Sequence, residues 1–229
     1  MNKIAICIPI WKRPEVTGFV LNFYNQLKKE LQDEMELLLI ACGSESEISR
    51  KIAQENGFVY IEHDNGNLAQ KHNALYLKAR DYNPDACLKI DSDSIVGKEF
   101  FRYYNRLINE GYDYSGITDI YFLIKDYLCY WGGYEGKRFG EPTGVGRFLS
   151  KKLLKKLDWK PFGNHKDQYV DRILTQRIQP ISKQIKTTKT SCKEIGAYCI
   201  DIKSGEFLTG FSEFVFDEVI ELNSLRLQL

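Results

Sequence analysis

The chain has 229 residues, 32 Lys and Arg against 31 Asp and Glu, a formal charge of +1 and 43% hydrophobic residues. That length suits one large domain, and that composition excludes a disordered or fibrous chain. No run reaches the roughly 18–20 apolar residues that span a bilayer.

The first element is "KIAICIPI" (3–10), a continuous isoleucine-rich run that predicts a strand buried on both faces. The opening segment is not expected to be a signal peptide, because its apolar run is short, lacks a small-residue cleavage site and stops at Lys12, Arg13 and Pro14. A helix is expected after Pro14, with Val16, Phe19, Val20, Phe23 and Leu27 on one face. Residues 35–43 predict a second buried strand, 44–57 a charged helix ended by Gly57, and 58–64 a third strand. Residues 67–80 predict a helix and 86–91 a fourth strand. This alternation to about residue 110 predicts an α/β fold with a mostly parallel central sheet flanked by helices. Ligands of such sheets bind beyond the carboxyl ends of the strands.

Four short stretches fall at those ends: Pro9 to Arg13, Cys42 to Glu45, Asp64 to Asn67, and Asp91 with Asp93. Residues two apart on a strand share a face, so the two aspartates of "DSD" (91–93) are expected to converge. Convergent carboxylates suit Mg²⁺ or Mn²⁺, although Asp and Ser also cap helices.

Beyond residue 111 the pattern is less regular. Residues 112–124 predict strand, 126–146 are rich in aromatics and glycine, 147–159 and 166–178 predict helices, and 197–203 predict strand. Residues 147–193 carry 13 Lys and Arg against 3 Asp and Glu, which would suit a polyanionic acceptor, whether phosphorylated glycan, lipid phosphate or DNA. Trp131 and Tyr134 are candidates to stack on sugar rings, whereas Phe139 is expected in the core. Cys7, Cys42 and Cys87 lie in apolar runs and the six cysteines show no CxxC pair, so reduced thiols and a cytoplasmic protein are expected.

In order and spacing, "PIWKRP" (9–14), "CGSESE" (42–47), "NGNLAQKHNAL" (65–75), "DSD" (91–93), "GVGRFLSKKLLKKL" (144–157) and Asp167 resemble the motifs of the GT-A glycosyltransferases, particularly family 2. The resemblance spans roughly residues 3–175. It implies one GT-A domain over 1–229, with a nucleotide half to about 110, an acceptor half to about 203 and an extension over 204–229.

The resemblance also implies a metal-dependent transfer of sugar from a nucleoside diphosphate, UDP by default, to a glycan or other hydroxyl acceptor, with inversion. Pro9, Ile10, Arg13, Ser44, Glu45, Asn65, Lys71, Asn73, Asp91, Ser92 and Asp93 would then hold the donor. Asp93 would carry Mn²⁺ or Mg²⁺, with Asp91 on the ribose or in the metal shell. Gly144 and Gly146 would join Trp131 and Tyr134 at the acceptor, and Asp167 would be the general base, with His165 second. Two departures stand out. Ala41-Cys42-Gly43 replaces the usual aspartate that reads the nucleobase, and Lys166 stands where an acid often precedes Asp167. A nucleotidyltransferase on a related scaffold would want a glycine-rich loop after the first strand, and "PIWKRPE" has no glycine. A non-catalytic glycan- or nucleic-acid-binding module that keeps the fold is the other alternative.

Overall fold

The structure is a computed structural model that describes residues 1–165, 170–203 and 216–221. The first half runs β1 (Lys3–Ile10), α1 (Pro14–Glu30), β2 (Glu36–Gly43), α2 (Ser46–Glu55), β3 (Val59–Glu62), α3 (Leu68–Arg80), β4 (Ala86–Lys89), β5 (Ser94–Val96) and α4 (Lys98–Asn109). The second half adds β6 (Tyr114–Ser115), β7 (Ile120–Ile124), β8 (Tyr127–Trp131), β9 (Arg147–Ser150), α5 (Lys151–Lys156), α6 (Val170–Ile178), α7 (Cys192–Ile195), β10 (Cys199–Lys203) and β11 (Glu218–Glu221).

Six strands form one sheet in the order β3-β2-β1-β4-β9-β6. The first four are parallel, and β9 runs antiparallel to both β4 and β6. Both faces are covered, which explains the unbroken apolar runs. Ile4, Ile6 and Ile8 of β1 pack with α1 and α4, while Ala5 and Cys7 face α3, α5 and α6. All six cysteines are buried free thiols.

A second sheet, β11-β8-β7-β10-β5, was not legible in the sequence. It takes in β11, which lies within the 204–229 extension and pairs with β8. The "DSD" segment is the turn between β4 and β5, and so joins the two sheets.

The helix expected over 147–159 is corrected. Residues Arg147–Ser150 are a fully buried strand that pairs with β4, and only Lys151–Lys156 are helical. The leucine–lysine spacing imitates a longer helix, but Ser150 caps the short one, its side chain accepting from the Leu153 amide. Among the described residues, no helix is long and apolar enough to cross a membrane.

Candidate active site

At the carboxyl ends of β1 and β4, where the order of the parallel strands reverses, a cavity of about 400 Å³ opens. Pro9, Arg13, Asn65, Lys71, Asp91, Ser92 and Asp93 line it, together with Trp11 and Leu68, which lie in the motifs but were not among the expected contacts.

Local structure explains why Arg13 faces Asp93. Lys12 and Arg13 are both left-handed (φ 53° and 46°), and Pro14 then starts α1. Such a pair of non-glycine residues costs about 1–3 kcal/mol each and persists only where the surroundings hold it. Here the Lys12 amide donates to Glu45 Oε2 at 2.6 Å, and Thr17 Oγ1 donates to the Lys12 carbonyl at 3.4 Å. The result sets Arg13 Nη1 3.0 Å from Asp93 Oδ2.

Lys71 is fully buried on α3 and gathers three loops. Its ammonium donates to the carbonyl of Ile10, the last residue of β1 (2.7 Å), and to Asn65 Oδ1 (2.9 Å) and Ser44 Oγ (3.4 Å), which follow β3 and β2 respectively. Burial pulls its pKa below the ordinary lysine value, against the attraction of Cys42 and Glu45. Asn73, one of the expected donor contacts, turns elsewhere. Its Nδ2 donates to the Gly163 carbonyl (2.7 Å) and its Oδ1 accepts from the Phe162 amide (3.1 Å). With Gln70 Nε2, which donates to the Gly163 and His165 carbonyls, it anchors the chain that leads to residue 165. His165 is exposed, and Asp167 lies outside the described residues.

The two aspartates have different partners. Both Asp91 oxygens accept from Lys89 (2.9 and 3.2 Å), whose side chain is 1% exposed. The same ammonium reaches the Gly144 carbonyl at 2.7 Å and Asp171 Oδ1 at 3.3 Å. Burial opposes the charge on Lys89, but Asp171 and Asp91 outweigh it and raise its pKa. Burial raises the pKa of Asp91, with Asp171 and Asp93 adding to it and Lys89 opposing. Burial also opposes ionisation of Asp171, yet Lys89 and Arg147 prevail and lower its pKa.

Arg147, on the neighbouring strand, is fully buried. It donates to the Thr143, Pro142 and Asp171 carbonyls, to Thr175 Oγ1 and to the Tyr114 hydroxyl. Lys89 and Arg147 thus hold the turn at 142–146 and the first turn of α6 against Asp91. Gly144 is required there, since a Cβ would lie 2.5 Å from Asp171 Oδ2. Gly146 (φ 69°) faces Ile117 and the Tyr104 hydroxyl in the core rather than the cavity.

Asp93 looks toward the second sheet. Lys203 Nζ lies 3.7 Å from its Oδ2 and 2.6 Å from Asp201 Oδ2. Burial and the neighbouring Asp93 raise the Asp201 pKa to about 7, with Lys203 opposing. These residues do not offer the oxygen shell that Mn²⁺ or Mg²⁺ takes. Lys89 occupies both oxygens of Asp91, and Arg13 and Lys203 share one oxygen of Asp93. Among the described residues, no three His, Cys, Asp or Glu side chains are grouped to hold a metal ion.

Trp131 and Tyr134 meet edge-to-face with centroids 4.9 Å apart, and Arg138 lies 3.5 Å over the Tyr134 ring. The expectation that Phe139 packs in the core is corrected, because its side chain is 83% exposed. Following a one-turn helix on a loop, it has no facing layer to enter.

The motifs missed Lys89, Arg147, Asp171, Asp201 and Lys203. A lysine inside the buried run "CLKI" was a usable signal, since such a charge needs a partner. So was "DIK" at the end of a strand, where Asp201 and Lys203 share a face.

No protein family model matches the sequence, and no curated protein matches it. The fold is found in solved structures. The structure of Staphylococcus aureus TarS residues 1–349 in complex with UDP-GlcNAc superposes with a TM-score of 0.61 at 15% identity, over 93% of this chain. The match spans only 62% of that TarS chain. The 4-diphosphocytidyl-2C-methyl-D-erythritol synthase of Anaerococcus prevotii gives 0.55 at 14% identity, over 83% of this chain and 87% of that one. The chain therefore has the fold of the nucleotide-diphospho-sugar transferases.

Proposed function

We propose that the chain is a glycosyltransferase that moves a sugar from a nucleoside diphosphate to a hydroxyl acceptor. The observation that carries this reading is the cavity at the strand ends, where apolar Pro9, Trp11 and Leu68 adjoin Arg13 and the Asp91–Asp93 turn. That combination suits a flat base beside a charged diphosphate. A structural neighbour was solved with UDP-GlcNAc, which makes UDP-sugars the first donors to test.

In this reading the acceptor oxygen forms the new bond to C1 of the sugar. The bond from C1 to the β-phosphate oxygen breaks, and its electron pair leaves with the nucleoside diphosphate. The acceptor proton passes to a base, with inversion as the family resemblance implies. Asp171 is ill suited as that base, since Lys89 and Arg147 lower its pKa and so weaken it as a proton acceptor. Asp167 remains the proposed base, and His165 the second choice. Trp131 and Tyr134 are the proposed sugar platform for a glycan acceptor.

The erythritol synthase neighbour shares the fold and keeps nucleotidyl transfer as the second reading. Product analysis separates the two. Purified protein is incubated with a panel of nucleotide sugars, and separately with nucleoside triphosphates and sugar phosphates. Release of nucleoside diphosphate from a nucleotide sugar supports glycosyl transfer. Release of pyrophosphate from a triphosphate, with no turnover of any nucleotide sugar, would sink it.

A further inference from the structure

The donor site needs positive charge, because a diphosphate must be bound and then released with one more negative charge as the C1–O bond breaks. In this chain the carboxylate nearest that task is already answered by two side chains. Asp93 Oδ2 holds Arg13 at 3.0 Å and Lys203 at 3.7 Å, and Lys203 is shared with Asp201. A divalent ion on the same Asp93 oxygen, at about 2.0–2.6 Å, would be pressed against both cations in a half-buried setting where their repulsion is poorly screened. Asp91 is the weaker alternative, since Lys89 already donates to both its oxygens and its positive charge would repel a second cation there.

We propose that Arg13 and Lys203 supply the counter-charge for the donor diphosphate in place of a divalent cation, exchanging Asp93 for the phosphate oxygens when the donor binds. The proposal rests on the transferase reading. Three features of the geometry support it. Arg13 lines the cavity beside Asp91, Ser92 and Asp93, so its guanidinium already stands where a ligand would enter. Its left-handed backbone is held by the contacts of Lys12 and Thr17, which fix the stem while the head is exchanged. A guanidinium offers a planar fork that matches two phosphate oxygens, and an ammonium adds a point charge from the other side. Lys203 comes from the second sheet and Arg13 from the first, so the pair would clasp the diphosphate across the Asp91–Asp93 turn. Asp93 and Asp201 then act as the partners that keep the two cations pre-placed beside the cavity.

The test measures UDP and CDP binding to the full chain by calorimetry, in EDTA and in Mn²⁺. It is repeated on Arg13→Met, Lys203→Met and Lys203→Arg, with melting curves to confirm folding. The expected result is wild-type affinity that differs less than about threefold between EDTA and Mn²⁺. Each Met variant should lose tenfold or more under both conditions, and Lys203→Arg should recover most of the loss. Wild-type binding that vanishes in EDTA and returns with Mn²⁺ overturns the inference even if no variant folds, and leaves the transferase reading standing. Lys203→Met with wild-type affinity overturns it as well. Absence of binding by either nucleotide in every arm overturns the transferase reading and this inference with it.

Discussion

Lys71 and Lys89 are both buried lysines beside one cavity, and their charges are held in opposite ways. Lys71 meets neutral acceptors, the Ile10 carbonyl, Asn65 and Ser44, and burial lowers its pKa. Lys89 meets two carboxylates, Asp91 and Asp171, which raise its pKa in spite of burial. The first ties together loops of one sheet edge. The second ties the Asp91–Asp93 turn to elements that lie more than fifty residues downstream. The difference teaches that the cavity's strand-end side is assembled locally, from consecutive strand ends, while the support behind Asp91 depends on a long-range electrostatic joint.

The largest expected effect tests whether Asp167 or Asp171, the carboxylate of that joint, does chemistry. Asp167→Asn should lower turnover by about 10²–10⁴-fold, the usual range for loss of a general base, with nucleotide affinity near wild type. Asp171→Asn should instead lower stability, because Lys89 and Arg147 lose a shared partner. Single-turnover rates and urea unfolding on both variants check this. If Asp171→Asn alone abolished chemistry while remaining stable, the two roles would have to be exchanged.

Next comes the contrast between the lysines themselves. Lys89→Met strands two carboxylates and should cost about 3–5 kcal/mol, the range for removing one member of a buried ion pair. Lys71→Met strands only neutral acceptors and should cost about 1–3 kcal/mol. Its main consequence should be a weaker donor site, since the three loops would no longer be gathered. Urea denaturation ranks the two costs, and donor KM against kcat locates the functional loss. Equal costs would mean that the carboxylate partners do not distinguish the two sites.

A smaller effect comes from Asp201, and its sign can be worked out. Its folded pKa of about 7 lies above the unfolded carboxylate value, so the folded state binds the extra proton over that interval. Stability contributed by this group is therefore full below the unfolded pKa and is lost as pH rises toward 7, at no more than about 1.4 kcal/mol per pH unit. Asp201→Asn carries no titrating proton and should lose less stability than wild type between pH 5 and pH 8. Parallel pH profiles for the two proteins would remove Asp201 from the account.

The contrast between the two sides also explains what the sequence disclosed. Strand ends on the donor side are short, consecutive and punctuated, so the order of the motifs alone assigns Arg13, Asn65, Asp91 and Asp93 to one cavity. Both aspartates lie in the turn after β4 rather than on it, so the strand pleat does not set their directions: Asp93 meets Lys203 of the second sheet, while Asp91 meets Lys89, which also reaches Asp171 of α6. Across the cavity, the decisive residues are single charges inside apolar runs. Arg147 opens a four-residue strand that reads as helix, because Phe148, Leu149, Leu153 and Leu154 fit a helical spacing. Only pairing with β4, a tertiary fact, selects the strand. Lys203 gives no local sign that it belongs beside Asp93, since the strands that bring them together are a hundred residues apart in sequence.

The smallest expected effect concerns the basic stretch, which the fold divides. Arg147 stands beside Lys89 at the carboxyl end of β4, whereas the Lys151 amide donates to the Asp85 carbonyl at the opposite end. Six residues of extended chain separate Asp85 from Asp91, which is about 20 Å at roughly 3.3 Å per residue. Lys151 and Lys155 line a second cavity of about 600 Å³ at that far pole, with Tyr112 and the buried Asp113. Lys152 is already paired with Asp113 at 3.1 Å and is left out of the test. At physiological salt the screening length is about 8 Å, so charges 20 Å away contribute little to the field at Asp91. Changing Lys151, Lys155 and Lys156 together to Glu should therefore alter acceptor KM less than about twofold for a small hydroxyl acceptor. A tenfold rise that fades at high salt would mean that the acceptor is a polyanion long enough to reach both poles. In that case the acceptor, and not the fold, would join the two halves of the basic stretch.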